Sequence, residues 1–262
     1  MIIGDKALEG TPVVLVRNKI SNSYLISGEK IAVVDAGVPS DTARIIGAVK
    51  DKLHREPLDI SLIVMSHYHF DHVGGIPELK NKTGAQLMVH RKAANYIYRG
   101  VPVPGFSASR MFLAAYPMWL SLGAPIPKPS DLKGMPMAGI PGLTTGLWPV
   151  GIDQYLQDED DLPGFTGWKV YRTPGHTLDS ICLFHEDSRT LITGDTILEI
   201  GGHLHLAPVI DLKNLTLAEK SLAMLQELNP RVICPAHGRP IADEQPLSKV
   251  RRNVSPLSFF GI

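Results

Sequence analysis

Ser66-His67-Tyr68-His69-Phe70-Asp71-His72 follows directly on Ile60-Ser61-Leu62-Ile63-Val64-Met65, and the fold can be worked out from this junction. The run 60–66 (ISLIVMS) is nearly continuous in apolar residues, which suits a strand covered on both faces. Immediately after it, three imidazoles and one carboxylate fall within six positions. Imidazole nitrogen and carboxylate oxygen are the ordinary ligands of zinc and related divalent metals. In an extended segment alternate residues point the same way, so His67 and His69 can grip one ion together. Asp71 and His72 stand where the chain begins to turn and can reach a second.

Toward the N-terminus, PVVLVRN (12–18), NSYLIS (22–27) and KIAVVDAG (30–37) read as short strands separated by polar or Gly-containing breaks. Residues 40–53 carry Ala43, Ile46, Val49 and Leu53 at helical spacing. Toward the C-terminus, Gly74 and Gly75 turn the chain. A short helix, a strand at 86–89 and a helix from Arg91 follow. Residues 100–165 then become rich in Pro, Gly and Met, with one helical piece at 107–123. This stretch is too apolar for a disordered linker. It reads as an insertion, either a lid over a site or an oligomer contact that would make a homodimer. Strand patterns return at 167–175, 180–186 and 190–195. A helix at 215–228 has Leu217, Leu222 and Leu225 on one side, and a strand pattern spans 231–238.

Three further ligand-type residues stand where strand patterns end, each beside a glycine: His176 in TPGHT, Asp195 in TGDT and His237 in PAHG. Loops at strand ends can converge while the sheets behind them stay rigid. Together these residues complete two metal shells. Zinc is the default, and iron, manganese or cobalt accept the same donors.

The 262 residues fit a single domain, 1–262, with a sizeable core. Lys plus Arg balances Asp plus Glu at 26 each, so no basic surface for nucleic acid is indicated. No apolar run reaches the length that spans a bilayer, and the N-terminus lacks a signal-type apolar core. The two cysteines, Cys182 and Cys234, lie inside apolar strand patterns. They do not suggest a disulfide framework, so a cytoplasmic protein is expected. GxSxG is absent, and no serine nucleophile is required.

The chain resembles the metallo-β-lactamase superfamily over nearly its whole length. The matching pieces are VVDAG (33–37), SHYHFDHVGG (66–75), TPGHT (173–177), TGDT (193–196) and PAHG (235–238). The resemblance implies an α/β fold, a four-layer αββα sandwich of two mixed β-sheets flanked by helices. It implies that His67, His69 and His176 bind one metal, that Asp71, His72 and His237 bind a second, and that Asp195 bridges them. Asp35 matches an acid that supports the histidine loop, and Asp71 and Asp195 become the catalytic carboxylates. Two such ions activate a shared water for attack on a small-molecule substrate.

Tyr68, Tyr116, His203 and His205 are candidate substrate-binding residues. Asp195 argues against penicillin hydrolysis, because true β-lactamases of the family carry another residue there. Glyoxalase II enzymes add a helical C-terminal region, whereas here only about a helix and a tail follow His237. The favoured branch is glyoxalase II-like or lactonase-like, acting on a lactone or thioester. Phosphodiester hydrolysis, iron-dependent sulfur oxidation and non-catalytic metal binding are the alternatives.

Overall fold

In the computed structural model, residues 1–99, 150–209 and 212–252 are described. The helical piece read at 107–123, and Tyr116 with it, lie outside them. The described residues form two six-stranded sheets and a separate hairpin.

The first sheet runs β2 (Val13–Arg17), β3 (Asn22–Ser27), β4 (Ile31–Val34), β5 (Ile60–Met65), β6 (Gln86–His90) and β7 (Gln154–Leu156), in that spatial order. Its first three strands are antiparallel, and β4 through β7 are parallel. Parallel neighbours need crossovers. Helix α1 (Thr42–Leu53) links β4 to β5, and helices α2 (Phe70–Val73) and α3 (Ile76–Thr83) link β5 to β6. Helix α4 (Ala94–Arg99) comes after β6, where a helix from Arg91 is expected.

The second sheet, in spatial order, is β1 (Ile2–Ile3), β14 (Ile241–Ala242), β13 (Val232–Pro235), β10 (Thr190–Gly194), β9 (Ile181–His185) and β8 (Trp168–Arg172). Only β10 and β13 are parallel. Their connection carries the hairpin β11 (Ile197–Ile200) and β12 (His203–Leu206), then helix α5 (Leu212–Glu227).

Strand alternation sorts the apolar residues into layers. Ala32, Val34, Leu62, Val64 and Met88 turn inward and meet Val170, Ile181, Leu183, Ile192 and Cys234 of the facing sheet. Ile31, Val33, Ile63, Met65 and Leu87 turn outward under Ile45, Val49, Ile76 and Leu79 of α1 and α3. On the far side, Cys182, Phe184, Leu191 and Ile233 lie under Ala218, Leu222 and Leu225 of α5. The order is helices, sheet, sheet, helix, which is the expected four-layer sandwich. Cys182 and Cys234 are both free and buried, and they belong to different layers of this core.

Several details differ from the sequence reading. The 30–37 pattern stops at Val34, because Asp35 adopts a left-handed φ of 59° that ends the strand. The buried face of α1 is Ile45, Ala48 and Val49, while Ala43 is exposed. Spacing alone does not resolve which stripe faces the sheet. His203 and His205, candidates for substrate binding, lie in β12, paired with β11. After His237, β14 follows and closes the sheet onto β1, before a short 3-10 turn at Pro246–Lys249. Residues 154–156, within the 100–165 stretch, are the edge strand β7, and Leu156, Leu162 and Phe165 are buried between the sheets.

Candidate metal centre

All the ligand-type residues leave strands at one edge of the sandwich. Ser66 follows β5, and its backbone N–H and hydroxyl both donate to Asp35, at 2.7 and 2.6 Å. The neighbouring His67 is thereby fixed in direction. His69 caps the N-terminus of α2, and its carbonyl accepts from the amides of His72 and Val73. That single helical turn swings Asp71 and His72 back toward the two histidines before them. The Ala36 amide donates to the His72 carbonyl at 2.8 Å, which ties the turn to the exit of β4. In the second sheet, His176 sits in the β8–β9 connection, Asp195 follows β10 and His237 follows β13. Gly194 has φ +50°, and a Cβ there would meet Ser66 Oγ at 2.7 Å, so only glycine lets the two sheets approach this closely beside Asp195.

The residues form two groups. His67, His69, His176 and Asp195 each offer a donor atom, and these atoms lie within 4.8 Å of one another; so do those of Asp71, His72 and His237. Within the first group, His69 Nδ1 lies 2.9 Å from His67 Nε2 and 3.1 Å from His176 Nε2. Asp195 faces both groups. Its Oδ2 is 3.8 Å from His67 Nε2 and 3.5 Å from His176 Nε2, while its Oδ1 is 3.5 Å from His72 Nε2 and 3.4 Å from His237 Nε2.

Outer hydrogen bonds set which nitrogen points inward. His176 Nδ1 is 2.9 Å from the Pro208 carbonyl, an acceptor only, so Nδ1 carries the proton and a neutral ring turns its Nε2 lone pair inward. His72 Nδ1 likewise donates to Asp35 Oδ2 at 2.8 Å. The His67 Nδ1 hydrogen goes to Ser66 Oγ at 3.0 Å, because that hydroxyl already donates to Asp35. Imidazoles held this way are arranged as cation ligands. No hydrogen bond reaches His72 Nε2 or Asp195 Oδ1, although both are buried. Orphaned polar atoms of this kind fit a bound cation.

Electrostatics divide the two groups. Burial, reinforced by the neighbouring rings of His72 and His69, pushes His67 far below its ordinary value; His69 is lowered to about 3, again mainly by burial. These rings stay neutral and keep their lone pairs. Burial also disfavours charge on His72 and His237, but the carboxylates of Asp195 and Asp71 outweigh it. They hold His72 well above its ordinary value and His237 at about 10. In turn, burial of Asp195 is overcome by His237 and His72, which keep its carboxyl well below the usual range. Protons on His72 and His237 thus balance the carboxylates at positions a cation could take.

A profile of the metallo-beta-lactamase superfamily matches residues 16–237. The chain belongs to the metallo-β-lactamase superfamily. It is 29% identical over 223 residues to the Methanocaldococcus jannaschii protein named "Probable metallo-hydrolase MJ0888", covering 83% of this chain and 87% of that one. It is 25% identical over 179 residues to a hydroxyacylglutathione hydrolase of Pelagibacter ubique, covering 68% of this chain and 52% of the relative. Among solved structures, a metallo-beta-lactamase family protein from Thermus thermophilus superposes with a TM-score of 0.61 at 21% identity, covering 90% of this chain and 77% of that one. At that identity the likeness concerns the fold.

The other sequence candidates lie apart from both groups. Tyr68 turns its side chain into the core under the helices, with Val73 and Ile76, and burial pushes its phenol up to about 12. His203 is exposed and His205 is buried, and neither joins a metal-type cluster among the described residues. Sequence reasoning assigns no role to Ser21, whose hydroxyl donates to the Asp71 carbonyl, or to Asp179, which accepts from the Tyr68 amide. No spacing rule marks such residues. Each acts on backbone that is distant in sequence. No described helix is long and apolar enough to cross a membrane.

Proposed function

We propose that this protein is a dinuclear metal-dependent hydrolase of small carboxylic-ester-type substrates, with zinc as its metal and a lactone or thioester as its substrate. The observation that carries the reading is the two-sided placement of Asp195, with Oδ2 toward the His67–His69–His176 group and Oδ1 toward His72 and His237. His67, His69 and His176 would hold one cation and Asp71, His72 and His237 the other, with Asp195 shared. When bound, two divalent cations supply a water acidified toward neutrality and a Lewis acid for the substrate oxygen.

The chain's own residues do the rest. Asp71 Oδ2, 3.3 Å from His237 Nε2 and 3.6 Å from His72 Nε2, orients the attacking water by accepting its hydrogen bond. His176 alone among the seven ligands is more than slightly exposed, with 17% of its side chain accessible. The relative named for an acylglutathione substrate favours a thioester or a related acyl compound over a phosphodiester.

The test is turnover by zinc-loaded protein on a panel of lactones, thioesters and simple esters beside a chromogenic phosphodiester, with metal content measured on the same sample. We expect two zinc ions per chain and hydrolysis of the carboxylic esters. Turnover of the phosphodiester alone would reject the ester reading. Bound iron with oxygen consumption would reject hydrolysis.

A further inference from the structure

The His176 connection does more than deliver its own imidazole. Residues 179–181 run beside 66–68: the Ile181 amide donates to the Ser66 carbonyl at 2.9 Å, and the Tyr68 amide donates to Asp179 Oδ2 at 2.9 Å. Tyr68 is the residue between His67 and His69. The same connection is internally braced. The Thr173 amide donates to the Ser180 carbonyl at 2.8 Å, and the Thr177 and Ser180 hydroxyls lie 2.7 Å apart. Asp179 is therefore the side chain that fastens the loop bearing His176 to the segment bearing His67 and His69, across 111 positions of sequence.

The placement is costly. Asp179 is only 1% exposed, and no hydrogen bond reaches its Oδ1. A carboxylate oxygen buried without a hydrogen bond loses its hydration, and the burial of this carboxyl is offset in part by the Thr177 hydroxyl, its own amide and the Tyr68 amide. An apolar residue would fill the same space without that cost, but it could not accept the Tyr68 amide. The three imidazoles that this fastening registers converge to 2.9 and 3.1 Å at His69 Nδ1, where small displacements decide whether three donors can share one cation.

We propose that Asp179 is a positioning residue for the three-histidine cation position, acting through the Tyr68 backbone rather than by touching metal or substrate. This rests on the metal-binding reading above and predicts a selective effect. The cation held by His67, His69 and His176 depends on Asp179, and the one held by Asp71, His72 and His237 does not.

The experiment is a cobalt titration of the full-length, metal-stripped protein, followed by its visible absorption and by competition with a chromophoric chelator. Wild type, Asp179→Ala, Asp179→Asn and Asp179→Glu are compared. His176→Ala serves as the reference that marks which spectral component belongs to the three-histidine position. Asp179→Ala should weaken that component alone, by about tenfold to a hundredfold, the range typical for residues that orient metal ligands. Asp179→Asn keeps an oxygen acceptor for the Tyr68 amide and should restore affinity to within a few-fold. Should the alanine variant not fold, Asp179→Glu displaces the acceptor by one methylene and should show the same selective loss. A folded alanine or glutamate variant with both affinities unchanged, or with both lowered equally, overturns the proposal. If wild type takes up a single cation, the dinuclear reading fails instead. The role of Asp179 is then decided by whether that cation is the one lost in His176→Ala and weakened in Asp179→Ala.

Discussion

At the scale of single residues, Asp35 shows how much of the centre depends on a side chain that offers it no donor atom. Its two oxygens accept from the Ser66 amide, the Ser66 hydroxyl and His72 Nδ1. The left-handed φ of 59° that aims them is one that Asp and Asn adopt more readily than most residues. Asp35→Asn therefore removes the charge and one acceptor oxygen while leaving that backbone conformation accessible. We expect it to weaken the cation at His72 by about tenfold to a hundredfold, measured by chelator competition. The histidines carry a second prediction, about pH. In the metal-stripped protein, His237 is raised to about 10 from an ordinary value near 6.5, so the folded state holds its proton more tightly than the unfolded chain. That contribution to stability is fully present below pH 6.5 and is lost as pH rises through about 10. The melting temperature of the stripped protein should fall between about pH 7 and about pH 10. Zinc-loaded protein, in which the cation replaces the proton, should show a smaller fall across the same window. The ligand-type residues themselves were legible in the sequence because they cluster at 66–72 and recur beside glycines. Asp179 and Ser21 were not, because a buried acceptor or donor serving a distant amide or carbonyl looks like any polar loop residue.

At the scale of elements, the approach of β10 to the end of β5 sets how near Asp195 comes to His67. Gly194 sits at that crossing with φ +50° and with Ser66 Oγ 2.7 Å from where a Cβ would lie. Ser66 cannot easily yield, because both of its polar groups are held by Asp35. Gly194→Ala should cost about 1–3 kcal/mol from the backbone conformation alone, read by denaturant unfolding, with metal affinity lowered as well. Substitutions under α5 should behave differently. Leu222 is 2% exposed in the outer layer, away from the facing sheet. Leu222→Ala should cost about 2–5 kcal/mol of stability, while zinc stoichiometry stays unchanged in the protein that remains folded. Strands β2 to β6, β8 to β10 and β13 were readable from alternation and apolar runs, whereas β7 lay hidden in the Pro-rich stretch. The hairpin β11–β12 was not: His203 and Gly202 mask a strand only four residues long, whose pairing is with its neighbour β11 rather than with either sheet.

At the scale of the whole molecule, the centre joins the two sheets. His67, His69, Asp71 and His72 come from the first sheet, and His176, Asp195 and His237 from the second. Cations held there, as proposed, would stabilise the sandwich as a unit, because a chain with its sheets apart has no site to bind them. With free zinc at about a thousand times its dissociation constant the gain is about 4 kcal/mol, so chelation should lower the melting temperature and zinc should restore it. The layer architecture could be anticipated from the motif resemblance and the strand patterns. The closure of the second sheet by β1 and β14 could not, since two-residue strands carry no periodicity. That closure has a bearing on synthesis. β13 lies between β14 and β10, and His237 leaves its end. A nascent chain that stops before residue 232 lacks both that imidazole and the strand that completes the middle of the sheet. On the two-cation reading proposed above, the second cation would be captured only after translation has passed nine-tenths of the length seen here.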